Sequence, residues 1–198
     1  MNFISGSPIK SGMTIDADTH LELAALGTVA DLVPLTGANR TIVMYGLKKL
    51  RTTARVGLVA LFTQSGIKQD SMGVYDIGYI IGPRLNAAGR IDSAMDSLRL
   101  ICTTDRARAT QLASKLELTN KERQFLLKEA AAHALAEVRS RKSEVRKILI
   151  VAHETYQEGV IGLVAGKLVE AFYRPSIVLS IGEKYSKASA RSVSGFNI

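Results

Sequence analysis

Helical spacing of apolar residues dominates the first three quarters of this chain, and short continuous apolar runs replace it afterwards. Two helices are expected between 20 and 50, flanking the turn Pro34-Leu35-Thr36-Gly37-Ala38-Asn39. The second, over 40–50, sets Val43, Leu47 and Leu50 on one face. A short helix is expected over 58–64. The segment 76–90 begins apolar and ends in the cluster Gly82-Pro83-Arg84-Leu85-Asn86-Ala87-Ala88-Gly89-Arg90.

From 105 to 142 the chain carries no Gly or Pro and is rich in Ala, Leu, Lys, Glu and Arg, which predicts one helix of roughly 55 Å. That length exceeds one layer of a compact domain, so the helix is expected to connect two domains. Leu112, Leu116, Leu127, Ala134 and Val138 form its apolar stripe; Asn120 interrupts that stripe, with Arg123 and Gln124 beside it. Beyond it, 147–152 is a strand candidate, 159–169 a helix opened by Gly, and 175–180 a second strand. The three make a β-α-β unit with a parallel pair and a right-handed crossover. Two strands and one helix cannot close a core, so this second domain reads as cut short. Residues 1–18 read as a leader without sustained periodicity.

With 198 residues, 46% of them hydrophobic, the chain can build one large or two small cores. No apolar run reaches the roughly 20 residues that span a bilayer, and no signal peptide opens the chain, which places the protein in the cytoplasm. One cysteine excludes an internal disulfide framework, and histidines at 20, 133 and 153 show no local metal-ligand spacing. His20 and His133 are expected to be exposed on helices, His153 to sit in a solvated loop, and Cys102 to be a small core residue. The net charge of +8 favours an anionic partner such as nucleic acid or a phosphorylated metabolite. A solvated basic face on the central helix is the competing explanation.

The run "AALGTVADLVPL" places one carboxylate, Asp31, among apolar residues, where burial would demand a partner, a proton or a metal. In "PRLNAAGR", Arg84, Asn86 and Arg90 stand among small residues that let a ligand backbone approach, with guanidinium forks suited to phosphate. The same arginines could instead pair with Asp76, Asp92 or Asp96. Lys187-Ala188-Ser189-Ala190-Arg191-Ser192 suits a terminal phosphate or is an ordinary Ser-rich loop. Gly159–Gly166 lacks dinucleotide-binding spacing and fits close helix–strand packing better than anion binding.

In their order, "ALGTVADLVPLTGANR", "IGPRLNAAGRIDSA", "ELTNKERQ", "EGVIGLVAGKLVEAFYRPSIVLS" and "SARSVSGFNI" resemble the RecJ family, single-strand-specific 5′-to-3′ DNA exonucleases of the DHH phosphoesterase superfamily. The resemblance covers about residues 20–198. It implies an α/β architecture: the C-terminal part of a DHH catalytic domain over 19–104, the connecting helix over 105–142, and an incomplete DHHA1 domain over 143–198. It also implies phosphodiester hydrolysis with Mn²⁺ or Mg²⁺ in DNA repair and recombination. A single-stranded DNA with a 5′-phosphate would be the substrate, with a single-strand-binding protein and a helicase as further partners and no membrane.

Carried over by motif, Asp31 matches the last metal-ligand aspartate of the catalytic domain. Arg84, Asn86 and Arg90 would line the DNA path, Asn120, Arg123 and Gln124 would face it from the connecting helix, and Ser189 and Arg191, with Ser192 nearby, would hold the 5′-phosphate. The family's Asp-His-His and other upstream aspartates have no counterpart here, so the chain resembles the middle of such a protein and is expected to be inactive by itself. Gln157 replaces a usual His, and Ala188 a usual Gly. Two other readings remain at this point: a DHH phosphodiesterase for short oligonucleotides or cyclic dinucleotides, and a non-catalytic DNA-binding or replication-scaffold relative.

Overall fold

The computed structural model describes residues 17–91, 93–141 and 147–198; the expected leader lies almost wholly outside them. The first lobe is helical. Helix α1 (Leu21–Ala30) lies against α2 (Gly37–Leu50) at a distance only a glycine permits: a methyl group on Gly46 would stand 2.3 Å from Cβ of Ala25. The expected turn therefore ends early, because Gly37, at φ +50°, already opens α2. Helix α3 (Val56–Gln64) follows. Arg55 leads into it and pairs with the buried Glu22 of α1, reaching also the Thr19 carbonyl and His20 Nδ1.

A stretch of π-helix, Asp76–Ile81, runs straight into α4 (Gly82–Ile91). Pro83 has no N–H and its ring crowds the carbonyl four residues back; the wider π turns just before it relieve that conflict. Helix α5 (Met95–Cys102), not foreseen from the sequence, presses Leu100 into the core, and a methyl on Gly57 would meet the Leu100 carbonyl at 1.7 Å. Cys102 is exposed at the end of α5 and is no core residue, which corrects the expectation.

Asp105 then starts α6 (Arg106–Ser140), its carboxylate accepting from the N–H groups of Ala107 and Arg108 at 2.8 and 3.1 Å. Such a cap contributes about 1 kcal/mol. The N-terminal half of α6 gives Ala109, Ala113 and Leu116 to the core of the first lobe; its C-terminal half gives Ala130 and Ala134 to a separate second core. Asn120 falls between the two. Helix α6 thus supplies side chains to both cores.

The second lobe is α/β: β1 (Leu149–His153), α7 (Glu158–Phe172), β2 (Ser176–Ser180) and β3 (Lys187–Arg191). β1 and β2 are parallel, with Leu149 opposite Ser176 and His153 opposite Ser180. β3 adds antiparallel to β2, Ser176 facing Arg191. This third strand corrects the two-strand expectation; Lys187-Ala188-Ser189-Ala190-Arg191 is a strand and not a loop. Helix α7 ends at Tyr173 in the left-handed region, whose N–H bonds the Val169 carbonyl.

Where α6 meets the sheet, His133 Nδ1 lies 2.8 Å from the Tyr156 hydroxyl and its ring 4.5 Å from that of His153. Burial, and less strongly the charge of Glu137, push the Tyr156 phenol up to about 12, so its hydroxyl stays protonated beside His133. His20 and His133 are exposed as expected, while His153 closes β1 rather than lying in a loop. Among the described residues no helix is long and apolar enough to cross a membrane.

Candidate nucleic-acid interface

The two lobes touch where α4 ends and α7 begins. There, a cavity of about 140 Å³ is lined by Ala30, Asn86, Arg90, Arg123 and Leu163, drawing on α1, α4, α6 and α7. Three of the residues expected on the DNA path therefore converge on it. Asn86 and Arg90 are exposed. Arg90 Nη1 donates to the Gly159 carbonyl at 3.4 Å, and among the described residues neither Arg90 nor Arg123 has a carboxylate partner. Burial, and then the positive charge of Arg90, hold the Arg123 guanidinium below its ordinary value. Two cations facing one small cavity, with no acid among its described lining residues, attract an anion.

Arg84 and Asn120 act differently. Arg84 Nε donates to Glu117 Oε2 at 2.6 Å and its Nη1 to the Ile80 carbonyl at 2.8 Å, and both side chains are largely buried. The alternative partners Asp76 and Asp96 are not used: Asp76 accepts from the Gly73 N–H, and Asp96 binds Arg99 and Lys115; Asp92 lies outside the described residues. Asn120 is 1% exposed, and its Oδ1 accepts from Arg123 Nε and Nη2 at 3.3 and 3.0 Å. It holds Arg123 and does not itself reach the surface. Gln124 is exposed beside them.

On the far side of the first turns of α7, Ser189 and Arg191 share one face of β3, two residues apart. That face looks onto Gly162: a methyl there would lie 2.9 Å from Ser189 Oγ and 3.3 Å from Arg191 Nη2. The missing side chain leaves a cradle under a hydroxyl and a guanidinium. Gly162 thus does pack helix on strand, as expected for this glycine run, whereas Gly159 packs on α4. Ser192 is turned away, its hydroxyl donating to the Phe196 carbonyl. Lys187, at the start of the strand, pairs with Glu158 of α7.

Asp31 follows α1 directly and is exposed, its N–H bonded to the Gly27 carbonyl at 3.0 Å. The expectation of a buried carboxylate is corrected: the apolar run turns its Ala25, Leu26 and Val29 inward, while the helix end lifts Asp31 out. It makes no ion pair among the described residues, and these contain no group of three or more His, Cys, Asp or Glu able to hold a metal. Glu117 was not singled out from the sequence, where its signal was a carboxylate one turn before Asn120 and beside the apolar stripe; Gly159 and Gly162 were read for close packing only, not for a place beside Arg90 or under Ser189 and Arg191.

No protein-family model matches the chain. It is 42% identical over 183 residues to the single-stranded-DNA-specific exonuclease RecJ of Bacillus subtilis (strain 168), covering 91% of this chain and 23% of that protein. Among solved structures, RecJ from Thermus thermophilus in complex with Mg²⁺ superposes with a TM-score of 0.79 at 31% identity, over 90% of this chain and 27% of the other. An exonuclease RecJ bound to manganese superposes with a TM-score of 0.75 at 32% identity, over 88% of this chain and 43% of the other. The fold is of the α/β class of the solved RecJ structures, consistent with a fragment of the DHH/DHHA1 region. Within that class the chain is homologous to part of RecJ and spans about a quarter to a third of the length of the curated relatives it matches.

Proposed function

We propose that this chain is the DNA-guiding part of a metal-dependent 5′-to-3′ single-stranded DNA exonuclease of repair and recombination. The observation that carries the reading is the convergence of Asn86, Arg90 and Arg123 on an interlobe cavity whose described lining holds no carboxylate, with the Ser189/Arg191 cradle across the start of α7. Residues 19–104 then correspond to the DHH side, 105–142 to the connecting helix and 143–198 to the DHHA1 side. A strand of DNA lies along α4 and α6, its diester phosphates on Arg90 and Arg123, with Asn86 and Gln124 as neutral donors. Arg84 fixes α4 behind that path. Ser189 and Arg191 take the terminal 5′-phosphate, whose extra charge over a diester rewards a cationic cradle, and Ser192 shapes the turn beside it.

The relatives were solved with Mg²⁺ or Mn²⁺, and such an ion would supply the hydrolytic chemistry. Asp31 fits one ligand position, but one carboxylate does not hold a divalent ion in place, and the described residues contain no group of three or more His, Cys, Asp or Glu that could hold one. On this reading the chain binds DNA and does not hydrolyse it by itself. A cytoplasmic setting and contacts with a single-strand-binding protein and a helicase belong to the same reading.

The test is an anisotropy titration with a labelled single strand carrying a 5′-phosphate or a 5′-hydroxyl, at one fixed salt concentration, since counterion release alone shifts affinity by orders of magnitude. Tighter binding of the phosphorylated end, abolished by Arg191→Ala, is expected. Equal binding of both ends, unaffected by that substitution, would remove the cradle from the account.

A further inference from the structure

Gly159 and Gly162 lie three residues apart at the start of α7 and face opposite halves of the site. A methyl on Gly159 would stand 1.9 Å from the Arg90 carbonyl oxygen and 2.7 Å from its carbon, while one on Gly162 would enter the Ser189/Arg191 cradle. Arg90 also returns its guanidinium to the Gly159 carbonyl. The same residue pair therefore makes both a backbone-to-backbone contact and a side-chain hydrogen bond across the lobes. The obstacle to any side chain here is a main-chain carbonyl at the end of a helix, which cannot rotate aside as a flexible side-chain tip would. Gly166, further along the same helix, has nothing within 4 Å of where its Cβ would be.

We propose that Gly159 is a positioning residue: by letting α4 lie directly on the first turn of α7, it fixes the spacing between Arg90 and Arg123 on one side and the Ser189/Arg191 cradle on the other. The inference rests on the DNA-binding reading above and adds that the two cationic groups work as one linked site. A strand held at its 5′-phosphate then meets Arg90 and Arg123 at no further cost in orientation, and the second contact gains the effective concentration of a tethered partner. A side chain at 159 pushes the lobes apart by roughly 1.5 Å, the amount needed to restore ordinary contact. That shift leaves each half intact and breaks their register.

The experiment compares the native chain, Gly159→Ala and the control Gly166→Ala. Each is titrated with a 5′-phosphorylated dinucleotide, which reaches the cradle alone, and with a 5′-phosphorylated single strand of about 12 nucleotides, which spans both halves. In Gly159→Ala the dinucleotide is expected to bind as in the native chain, while the long strand loses about tenfold in affinity; Gly166→Ala is expected to change neither. A merely structural role would weaken both ligands together, and that result, or an unchanged long-strand affinity, would overturn the proposal. If the native chain fails to prefer 5′-phosphate over 5′-hydroxyl, the functional reading fails instead. Should Gly159→Ala not fold, spin labels on Cys102 and on Glu170→Cys in the otherwise native chain decide: one narrow interlobe distance is expected, and a broad distribution would overturn the inference.

Discussion

Asn120 gives both available lone pairs of one oxygen to the guanidinium of Arg123, three residues on in the same helix, and is itself 1% exposed. A buried amide in the seam between two cores costs stability unless its hydrogen bonds are made, and here they are spent on aiming a cation at the interlobe cavity. Asn120→Asp keeps the acceptor and neutralises Arg123. The melting temperature is expected to stay near that of the native chain, while affinity for single-stranded DNA falls and the slope of log affinity against log salt drops by about one contact. An unchanged slope would show that Arg123 makes no phosphate contact.

Arg84 and Glu117 tie α4 to α6 through a largely buried pair, with Lys121 Nζ 3.6 Å from the other Glu117 oxygen. Removing one partner strands the other. Glu117→Ala is expected to cost about 3 kcal/mol in urea denaturation, and the double variant Arg84→Met, Glu117→Leu to recover a large part of that loss. Additive losses in the double variant would mean that the two side chains stabilise the fold independently.

The long helix was legible because its composition and the absence of Gly and Pro over 105–142 leave no other element possible, and the stripe broken at Asn120 marked the seam between cores. Arg84 was not legible as a strut: its partner lies 33 residues away, on a helix whose docking against α4 only the tertiary fold fixes. Asp31 misled because period alone does not say that a helix ends at residue 30 and releases the next side chain to solvent. The third strand was hidden by its polar residues, Lys187, Ser189 and Arg191, which alternate with alanines and whose face is given to the cradle and α7 rather than to an apolar core.

Asp96 is buried in the first turn of α5 and accepts from Lys115 Nζ at 2.5 Å and Arg99 Nη1 at 2.9 Å. The Lys115 hydrogen bond foremost, then that from Arg99, hold its carboxyl below the usual value of 3.8, against the opposing effect of burial. A carboxylate depressed in the folded state contributes stability that is fully present above the unfolded value and disappears as pH falls through the folded one. Asp96→Asn is therefore expected to be less stable than the native chain near neutral pH, with the gap in urea midpoint closing below pH 3.8. A gap that persists unchanged into acid would assign the loss to packing.

Beside Asp31 the surface is apolar: Leu32 is 82% exposed, Tyr75 and Tyr79 stack at 4.8 Å while 66% and 70% exposed, and with Val33, Leu35 and Val74 they border a groove of about 390 Å³. Leu32 also sits at φ 55°, so the turn holds its side chain outward. Contiguous apolar surface of this kind drives association in water. Sedimentation of the chain is expected to show concentration-dependent self-association that is relieved by Tyr79→Lys together with Leu32→Asn, the latter tolerated because Asn accepts positive φ. The same double variant should retain its 5′-phosphate preference, since Ser189 and Arg191 lie on the other lobe. A chain that sediments as a monomer at all concentrations would show that the stacked tyrosines and Leu32 are too small a surface to pair.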